Sequence, residues 1–388
     1  MIGSKITRVK IFSPKNLFLT LCELVTGTNN NGYLTAILQA LSPMMKVMDL
    51  PVKSALAQMR KRISYLFFKN LFVEQNVECN HYRKTWEGLY VYGSDGLQLT
   101  LPRSEDIIKA GYTGRKVSKY RESYMPKMFT CAVFDVINGI VKDFRENSTL
   151  DEISDAEDML NGIEKNSLCI YDRLYISRRM IKNHKKHGNY FLFRLRKSCL
   201  KDLARIYRIK HKRITVKLEG MEIHVIKIKN YTTGEWDAFA TNLPLRHVKE
   251  KTIKKLYNLR WEVENSFRDF TCTIQLEQWH SKFINGIRQE LYTALWLYNF
   301  VKLKILQKTN PEKECMEITY KKPNFKYIFG WMVAKLFKIL KGTRGVLKDL
   351  VELINRSLET RKRRSRSYPR VIKSPASPFP YKNTRWNL

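Results

Sequence analysis

The spacing of apolar positions along the chain predicts helical ends and a β-rich middle. Residues 1–85 carry apolar side chains at three- and four-residue intervals, interrupted by Gly and Pro, which predicts a helical N-terminal region. Across 86–196, short β-rich runs alternate with segments of helical spacing, which is typical of a mixed α/β sheet. The segment 197–250 is mostly alternating and β-branched, with turn signals at Gly220 and Gly234. We therefore expect a separate small β unit there.

Helical spacing returns after this β-rich segment. Residues 251–300 include the stretch Thr252 to Gln275, which predicts one long helix. Residues 301–388 continue with helical spacing and end in a basic tail, rich in Ser and Pro, that lacks core-forming periodicity. The pattern gives a fold class of α/β, with helical regions on either side of a sheet-forming centre.

The charge of the chain indicates its partners, because so large a positive excess requires a polyanion. Lys and Arg number 71 against 36 Asp and Glu, a formal net charge of +35. Nucleic acid fits this excess better than a membrane surface does. Basic structural proteins are the alternative, but they rarely carry 12% aromatic residues. The seven cysteines are scattered without a close pair, which predicts neither a disulfide framework nor a zinc site. The sequence also has no long apolar stretch, which predicts no membrane span. We therefore expect a protein of the reducing cytoplasm.

A short basic segment in the N-terminal region has two interpretations. Residues 51–62 combine Pro51 with Lys53, Arg60, Lys61 and Arg62 at helical spacing. Such a helix could enter a DNA groove and hold phosphates. It could equally dock on the rest of the protein, and the sequence leaves both open.

Two acidic residues follow apolar strand-like runs. Asp95 comes after Leu89-Tyr-Val-Tyr and precedes Gly96, and Asp172 follows Leu168-Cys-Ile-Tyr. Strand ends are the positions from which an α/β sheet presents ligands. Taken singly, each Asp is as well explained as a turn or helix-capping residue.

A third carboxylate lies on the predicted long helix. Tyr257, Arg260 and Glu264 are spaced by three and four residues and lie within an arc of about 60°. Glu262 is ~200° away and faces elsewhere. An Arg beside a metal-binding Glu can fork onto phosphate oxygens, whereas a plain Arg–Glu pair on an amphipathic helix explains the spacing equally well.

Three carboxylates meet the needs of phosphodiester chemistry. Two Mg²⁺ ions about 3.5–4 Å apart can activate water and stabilise the leaving oxygen, and Mg²⁺ prefers hard carboxylate ligands. In this hypothesis Asp95 bridges the ions, while Asp172 and Glu264 each complete one coordination sphere; Mn²⁺ could substitute. Asp135, which ends another apolar run, is a competing ligand.

The motifs YGSDGLQLTLP, YDRLYIS and YNLRWEVENSFRDF, in this order, resemble the DDE transposases of bacterial insertion sequences, in particular an IS-four-like branch. The resemblance covers roughly residues 85–300. It implies an RNase H-like catalytic core with Asp95, Asp172 and Glu264 as the catalytic metal ligands, and a β-rich insertion at 197–250. It also implies a homodimer on double-stranded DNA, bridging two terminal inverted repeats and then joining them to target DNA.

The same resemblance suggests which residues hold DNA. Tyr257 and Arg260 match the Tyr and Arg of the branch's Tyr-Arg-Glu-Lys signature, but Thr271 stands where the signature has Lys. Thr brings no charge, so either Arg268, Lys282 or a residue elsewhere compensates, or the strand contact is weakened.

Two further side chains keep open interpretations. Trp236 is placed like an aromatic that relatives stack on a flipped base, although sheet packing explains a lone Trp as well. His280 could contact phosphate or could be an ordinary capping residue.

The resulting functional hypothesis is cut-and-paste DNA transposition by a Mg²⁺-dependent enzyme of the bacterial nucleoid. Water frees a 3′ hydroxyl at each element end, and that hydroxyl then attacks target DNA, with or without a hairpin intermediate. A catalytically silent DNA-binding protein descended from a transposase is the main alternative. A stand-alone nuclease is the third.

Overall fold

The computed structural model describes residues 13–26, 32–118, 121–230, 234–307 and 319–362. Within these ranges, the centre of the chain forms one large sheet with helices on both faces. Its nine strands are β1 Val91–Thr100, β2 Gly114–Ser118, β3 Arg121–Asp135, β4 Ile140–Asn147, β5 Leu168–Tyr171, β6 Tyr190–Arg194, β7 Arg213–Leu218, β8 Met221–Lys229 and β9 Trp236–Thr241. The prediction of a mixed α/β sheet is confirmed.

The central strands have the order and directions of an RNase H-like core. β4, β3 and β1 are neighbours in antiparallel pairs, and β1, β5 and β6 continue the sheet in parallel. β2 pairs with the first part of the long strand β3. The parallel strands β5 and β6 are buried runs of apolar residues, as expected when helices cover both faces of a sheet.

The β-rich segment 197–250 is present, but it is not a separate unit. β9 pairs antiparallel with β6, and β8 and β7 follow outward, so these strands extend the core sheet. The outer edge of β6 would otherwise present unpaired backbone groups, and β9 satisfies them. The prediction of an independent β unit was wrong for this reason, whereas its strand content was right.

The helices fall on two sides of this sheet and bury separate apolar clusters. One cluster gathers side chains from β1, β3 and the helices at both ends of the chain, and the other lies under the helices between β4 and β6. The helices are α1 Pro14–Val25, α2 Tyr33–Leu41, α3 Lys53–Arg62, α4 Leu66–Cys79, α5 Glu105–Lys109, α6 Glu152–Met159, α7 Arg178–His187, α8 Lys201–Ala204, α9 Glu250–Asn258, α10 Trp261–Arg268, α11 Ile284–Leu306, α12 Phe325–Ala334, α13 Leu336–Leu340 and α14 Arg344–Arg356.

The long helix predicted over 252–275 is divided. α9 ends at Asn258, α10 begins at Trp261, and a π-helical turn spans Asp269–Thr273. Backbone bonds from Arg260 N to Tyr257 O (3.1 Å) and from Val263 N to Arg260 O (3.0 Å) tighten the junction. These bonds between residues three apart keep the chain close to helical across the junction.

The basic helix α3 docks on the protein through one of its cations. Arg60 is fully buried and contacts α11, where it pairs with Glu290 at 2.6 Å and donates to Gly286 O at 2.8 Å. The docking interpretation is therefore correct for Arg60. Lys61 and Arg62 are exposed.

The C-terminal region contains a feature that the sequence pattern did not predict. Strands β10 Thr319–Pro323 and β11 Leu358–Lys362 form a two-stranded antiparallel sheet beside α12 to α14. Lys322 of this sheet pairs with Glu262 of α10 at 2.8 Å. The basic tail after Lys362 lies outside the described residues. Among the residues that are described, no helix is long and apolar enough to cross a membrane.

Candidate active site

The first candidate ligand, Asp95, lies where β1 separates from β5. The parallel pairing of these strands stops at Gly93 and Ile170, but β1 continues to pair with β3 as far as Thr100. Asp95 therefore sits inside β1 rather than at its end, opposite Ala132. Beyond Gly93 the edge of β1 that faced β5 is open, and the Asp95 carboxylate lies at this opening.

Asp172 occupies the matching position after β5. β5 ends at Tyr171, so Asp172 is the first residue beyond the strand. Its Oδ1 accepts a hydrogen bond from Leu174 N at 2.6 Å, which fixes one oxygen in a turn. The charge of Asp172 acts on both Asp95 and Tyr257, which places the three side chains in one neighbourhood.

Glu264 reaches this neighbourhood because α10 packs directly on β1. A Cβ atom at Gly93 would lie 2.7 Å from Cγ2 of Val263, so only a glycine leaves room for the helix at this point. Val263 is fully buried against the sheet, and Glu264 follows it at the rim, half-buried. The Gly93-Ser-Asp-Gly96 sequence therefore sets the distance between the helix and the strand that carries Asp95.

Arg260 connects two of the three carboxylates. Its guanidinium donates to Asp95 Oδ2 at 3.3 Å and to Glu264 Oε1 at 2.6 Å. It also interacts with the Tyr257 hydroxyl and lies 5.5 Å from the Trp261 ring centroid. Its Nε is buried without a hydrogen-bond partner in the described part of the chain. A cation thus occupies the space on which Asp95 and Glu264 converge.

Burial makes the ionised form of Asp95 less favourable than it is in water. Burial raises the pKa of Asp95 to about 6; Arg260 opposes this rise, and the negative charges of Glu152 and Asp172 add to it. Burial also raises the pKa of Tyr257, which therefore stays a neutral hydrogen-bonding group beside Arg260. Carboxylates that repel one another in a partly dry site are stabilised by an added positive charge.

The chemistry of these side chains fits a hard divalent cation. No group of three or more His, Cys, Asp or Glu side chains, among the residues the structure covers, is arranged to hold a metal ion as it stands. However, Asp95 and Glu264 already converge on a guanidinium, and carboxylate oxygens are the donors that Mg²⁺ prefers. Asp95 and Glu264, with Asp172 close enough to act on Asp95, therefore have the donor chemistry that could hold Mg²⁺.

The other predicted DNA contacts lie on several different elements. Arg268 is exposed at the end of α10, where it donates to Asn265 Oδ1 at 2.8 Å. Thr271 donates its hydroxyl to Phe267 O at 3.1 Å, so a helix carbonyl already uses it. Lys282 is exposed before α11. Trp236 begins β9 with 37% of its surface exposed, and the Lys227 ammonium lies 5.5 Å from its ring.

Two competing candidates have structural partners instead. Asp135 is buried at the end of β3, three residues beyond Ala132, and pairs with Arg83 at 2.8 Å. His280 lies against Glu290, with its backbone N donating to Glu290 Oε2 at 2.9 Å. These contacts explain both residues without a role in catalysis.

Two residues at the site had escaped the sequence-based prediction. Trp261, next to Arg260, is 53% exposed, and an exposed Trp beside a candidate catalytic carboxylate offers a surface on which a base can stack. Glu152, the first residue of α6, contacts Gly96. The exposed Trp could have been suspected from its place in RWEVE, but no local pattern marks Glu152, because its position depends on how α6 packs.

Comparison with known proteins identifies the class of enzyme. A family model described as "Transposase DDE domain" matches residues 99–300, more than half of the chain. The chain belongs to this transposase family. The matched span includes Asp172 and Glu264 and begins shortly after Asp95.

A structure comparison finds the piggyBac transposase in its synaptic complex with hairpin DNA, with a TM-score of 0.47 and 10% identity over 88% of this chain and 76% of that chain. A comparison with curated proteins finds no match.

Proposed function

We propose that the protein catalyses DNA cleavage and strand transfer at the ends of an insertion sequence, by cut-and-paste transposition. The observation that carries this proposal is the convergence of Asp95 and Glu264 on Arg260, with Asp172 near enough for its charge to act on Asp95, in a chain that belongs to the DDE transposase family. The motif around Glu264 further supports membership of the IS-four-like branch.

The proposed reaction assigns separate tasks to these side chains. Two Mg²⁺ ions, when bound, would supply an activated water and stabilise the departing 3′ oxygen. Asp95, Asp172 and Glu264 would bind these ions through their carboxylate oxygens, with Asp95 between the other two. Arg260, released from the carboxylates, presents two parallel N–H donors to a phosphate, and the Tyr257 hydroxyl holds its position.

Further side chains around the opening would hold the DNA strands. Exposed cations at Arg173, Arg268 and Lys282 would contact the backbone, which is consistent with the net charge of +35. Trp261 and Trp236 offer aromatic surfaces for unpaired bases. We further propose that two protomers act together on the two element ends, in the bacterial nucleoid.

Cleavage of labelled terminal DNA tests this function. The wild type should nick the DNA in Mg²⁺ or Mn²⁺, whereas Asp95→Asn, Asp172→Asn and Glu264→Gln should lose nicking by several orders of magnitude and still bind DNA. Glu262→Gln is the matched control, because Glu262 lies on the same helix but pairs with Lys322. A wild type that binds terminal DNA and never nicks it would instead establish the silent DNA-binding alternative.

A further inference from the structure

The helix α3 has a docked face and an exposed face. Its buried positions are Leu56, Met59 and Arg60. Its exposed polar positions on the other side are Ser54, Gln58, Lys61 and Arg62. At about 100° per residue, each set spans an arc of about 100°, and the centres of the two arcs are about 160° apart. The helix therefore presents a continuous polar surface on the side opposite its docking contacts.

Contacts with the first turns of α11 fix the orientation of α3. The buried Arg60 guanidinium donates to Gln289 Oε1 at 3.3 Å, as well as to Glu290 and to Gly286 O. In the other direction, the side-chain amides of Asn285 and Gln289 donate to Arg60 O at 3.2 and 2.8 Å. These bonds use a carbonyl that the end of a helix leaves without a backbone partner. Because α3 is held both on its buried face and at its C-terminal end, its exposed face keeps one orientation.

The chemistry of the exposed face suits a DNA groove. In the described part of the chain, the side chains of Ser54, Gln58, Lys61 and Arg62 form no hydrogen bond and no ion pair, and α3 contains no acidic residue. Cations can hold phosphates, while neutral side chains such as Gln and Ser can pair with the edges of bases. A helix is about 10–12 Å wide with its side chains, which matches the ~12 Å width of the DNA major groove.

The segment 277–283 connects α3 to the strand of the candidate active site. The Tyr33 hydroxyl accepts a hydrogen bond from Arg60 at 2.9 Å and donates to a backbone carbonyl of this segment at 3.2 Å. In the same segment, Trp279 Nε1 donates at 2.7 Å to the carbonyl of Thr100, the last residue of β1. At ~3.4 Å per residue, Thr100 lies about 17 Å along β1 from the candidate metal ligand on that strand. A duplex bound to α3 would therefore lie on the side of the protein to which β1 leads.

We propose that the exposed face of α3 recognises the sequence of the element ends in a DNA major groove. Ser54 and Gln58, in the first two turns, contact base edges, where Gln can form two hydrogen bonds with an adenine. Lys61 and Arg62, in the last turn, contact phosphates and set the register of the helix on the duplex. This inference rests on the proposed function, because it assigns the recognition of the DNA ends that the enzyme would cut. Docking through Arg60 and binding of DNA by the opposite face are compatible.

Fluorescence anisotropy with two labelled duplexes tests the inference without cleavage. One duplex carries the terminal sequence of the element, the other is scrambled to the same length and composition, and both are titrated with the full chain in a chelator. We expect Gln58→Ala to weaken binding of the terminal duplex by about tenfold and to leave binding of the scrambled duplex unchanged. Lys61→Ala should weaken binding of both duplexes and lower the salt slope by about one.

Lys217→Ala is the matched control for the loss of one surface charge. Lys217 is exposed on β7, the outermost strand at one end of the sheet. The helix α11, on which α3 docks, contacts β4 near the other end, where Asn299 accepts a hydrogen bond from Val141 N at 2.9 Å. Lys217→Ala should therefore bind both duplexes as the wild type does.

The outcomes separate this inference from the proposed function. If Gln58→Ala and Lys61→Ala bind both duplexes as Lys217→Ala does, α3 does not contact the DNA and the inference is wrong, even where the wild type nicks terminal DNA. Equal binding of the two duplexes by the wild type would also overturn it. A preference for the terminal duplex that Gln58→Ala loses, in a protein that never nicks, would support the inference and contradict the proposed function. Should Gln58→Ala fail to fold by circular dichroism, Gln58→Met decides instead: it keeps the size of the side chain, and an unchanged preference in it would overturn the inference.

Discussion

Replacing Asp95 with asparagine should stabilise the metal-free protein at neutral pH. Burial raises the pKa of Asp95 from its ordinary value of 3.8 to about 6, with further contributions from Glu152 and Asp172. Each pKa unit corresponds to about 1.4 kcal/mol, so the ionised carboxylate costs up to about 3 kcal/mol relative to the unfolded chain. Asparagine has nearly the same shape without the charge, and Arg260 keeps its bond to Glu264.

The pH dependence of this effect has a definite sign. Between pH ~4 and ~6 the folded protein binds more protons at Asp95 than the unfolded chain does, so this carboxyl lowers stability as the pH rises through that window. The full cost is present above pH ~6 and absent below pH ~4. The advantage of Asp95→Asn should therefore be largest at pH 7.5 and should disappear near pH 4.

Urea unfolding at a series of pH values, in the presence of a chelator, measures this effect. The midpoint should shift upward in Asp95→Asn at pH 7.5 with little change in slope, and Mg²⁺ should stabilise the wild type more than the variant. Asp158→Asn is the control, since its carboxylate is exposed and should matter little. A destabilised Asp95→Asn, or a shift of equal size at every pH, would refute the reasoning.

Other predictions concern the buried ion pairs and the strand contacts. Asp135→Asn removes one of the two carboxylates paired with the buried Arg83, while Glu164 remains, and should cost about 1–3 kcal/mol in urea unfolding. Burial raises the pKa of Glu290, but its pairing with Arg60 outweighs burial and lowers the pKa to about 2. The stability that ionised Glu290 contributes above pH ~4.5 should therefore be lost as the pH falls toward 2. Glu290→Gln should be less stable than the wild type at pH 7 and should lack this loss of stability in acid. Thr271→Lys should tighten DNA binding, with a salt slope steeper by about one, in fluorescence anisotropy. Trp236→Ala should leave the first nick unchanged while reducing any hairpin product on sequencing gels.

Much of the sheet was predictable because local patterns determine it. The runs before Asp95 and Asp172 are apolar, and both became buried strands at the core of the sheet, although β1 continues past Asp95 to Thr100. The four-residue spacing of Arg260 and Glu264 also predicted the hydrogen bond between them, because that bond depends on only one helical turn. These local patterns predicted the structure correctly because no contact with a distant segment overrides them.

The remaining features depended on contacts between distant segments. The strands of 197–250 joined the main sheet because the edge of β6 was available for β9. Asp135 and Asp95 look alike in sequence, and only the approach of Arg83 to one of them separates their roles. Glu152 reaches Gly96 across more than fifty residues, so no local periodicity indicates that contact.

Metal-specificity rescue tests most directly whether the three carboxylates hold the ions that cut DNA. Asp95→Cys, Asp172→Cys and Glu264→Cys replace a hard oxygen with a softer thiolate, which disfavours Mg²⁺. We predict that these variants fail to nick terminal DNA in Mg²⁺ but recover measurable nicking in Mn²⁺, while Glu262→Cys cuts in both. Equal nicking by all the variants in Mg²⁺, or no nicking by the wild type in either metal, would contradict the account.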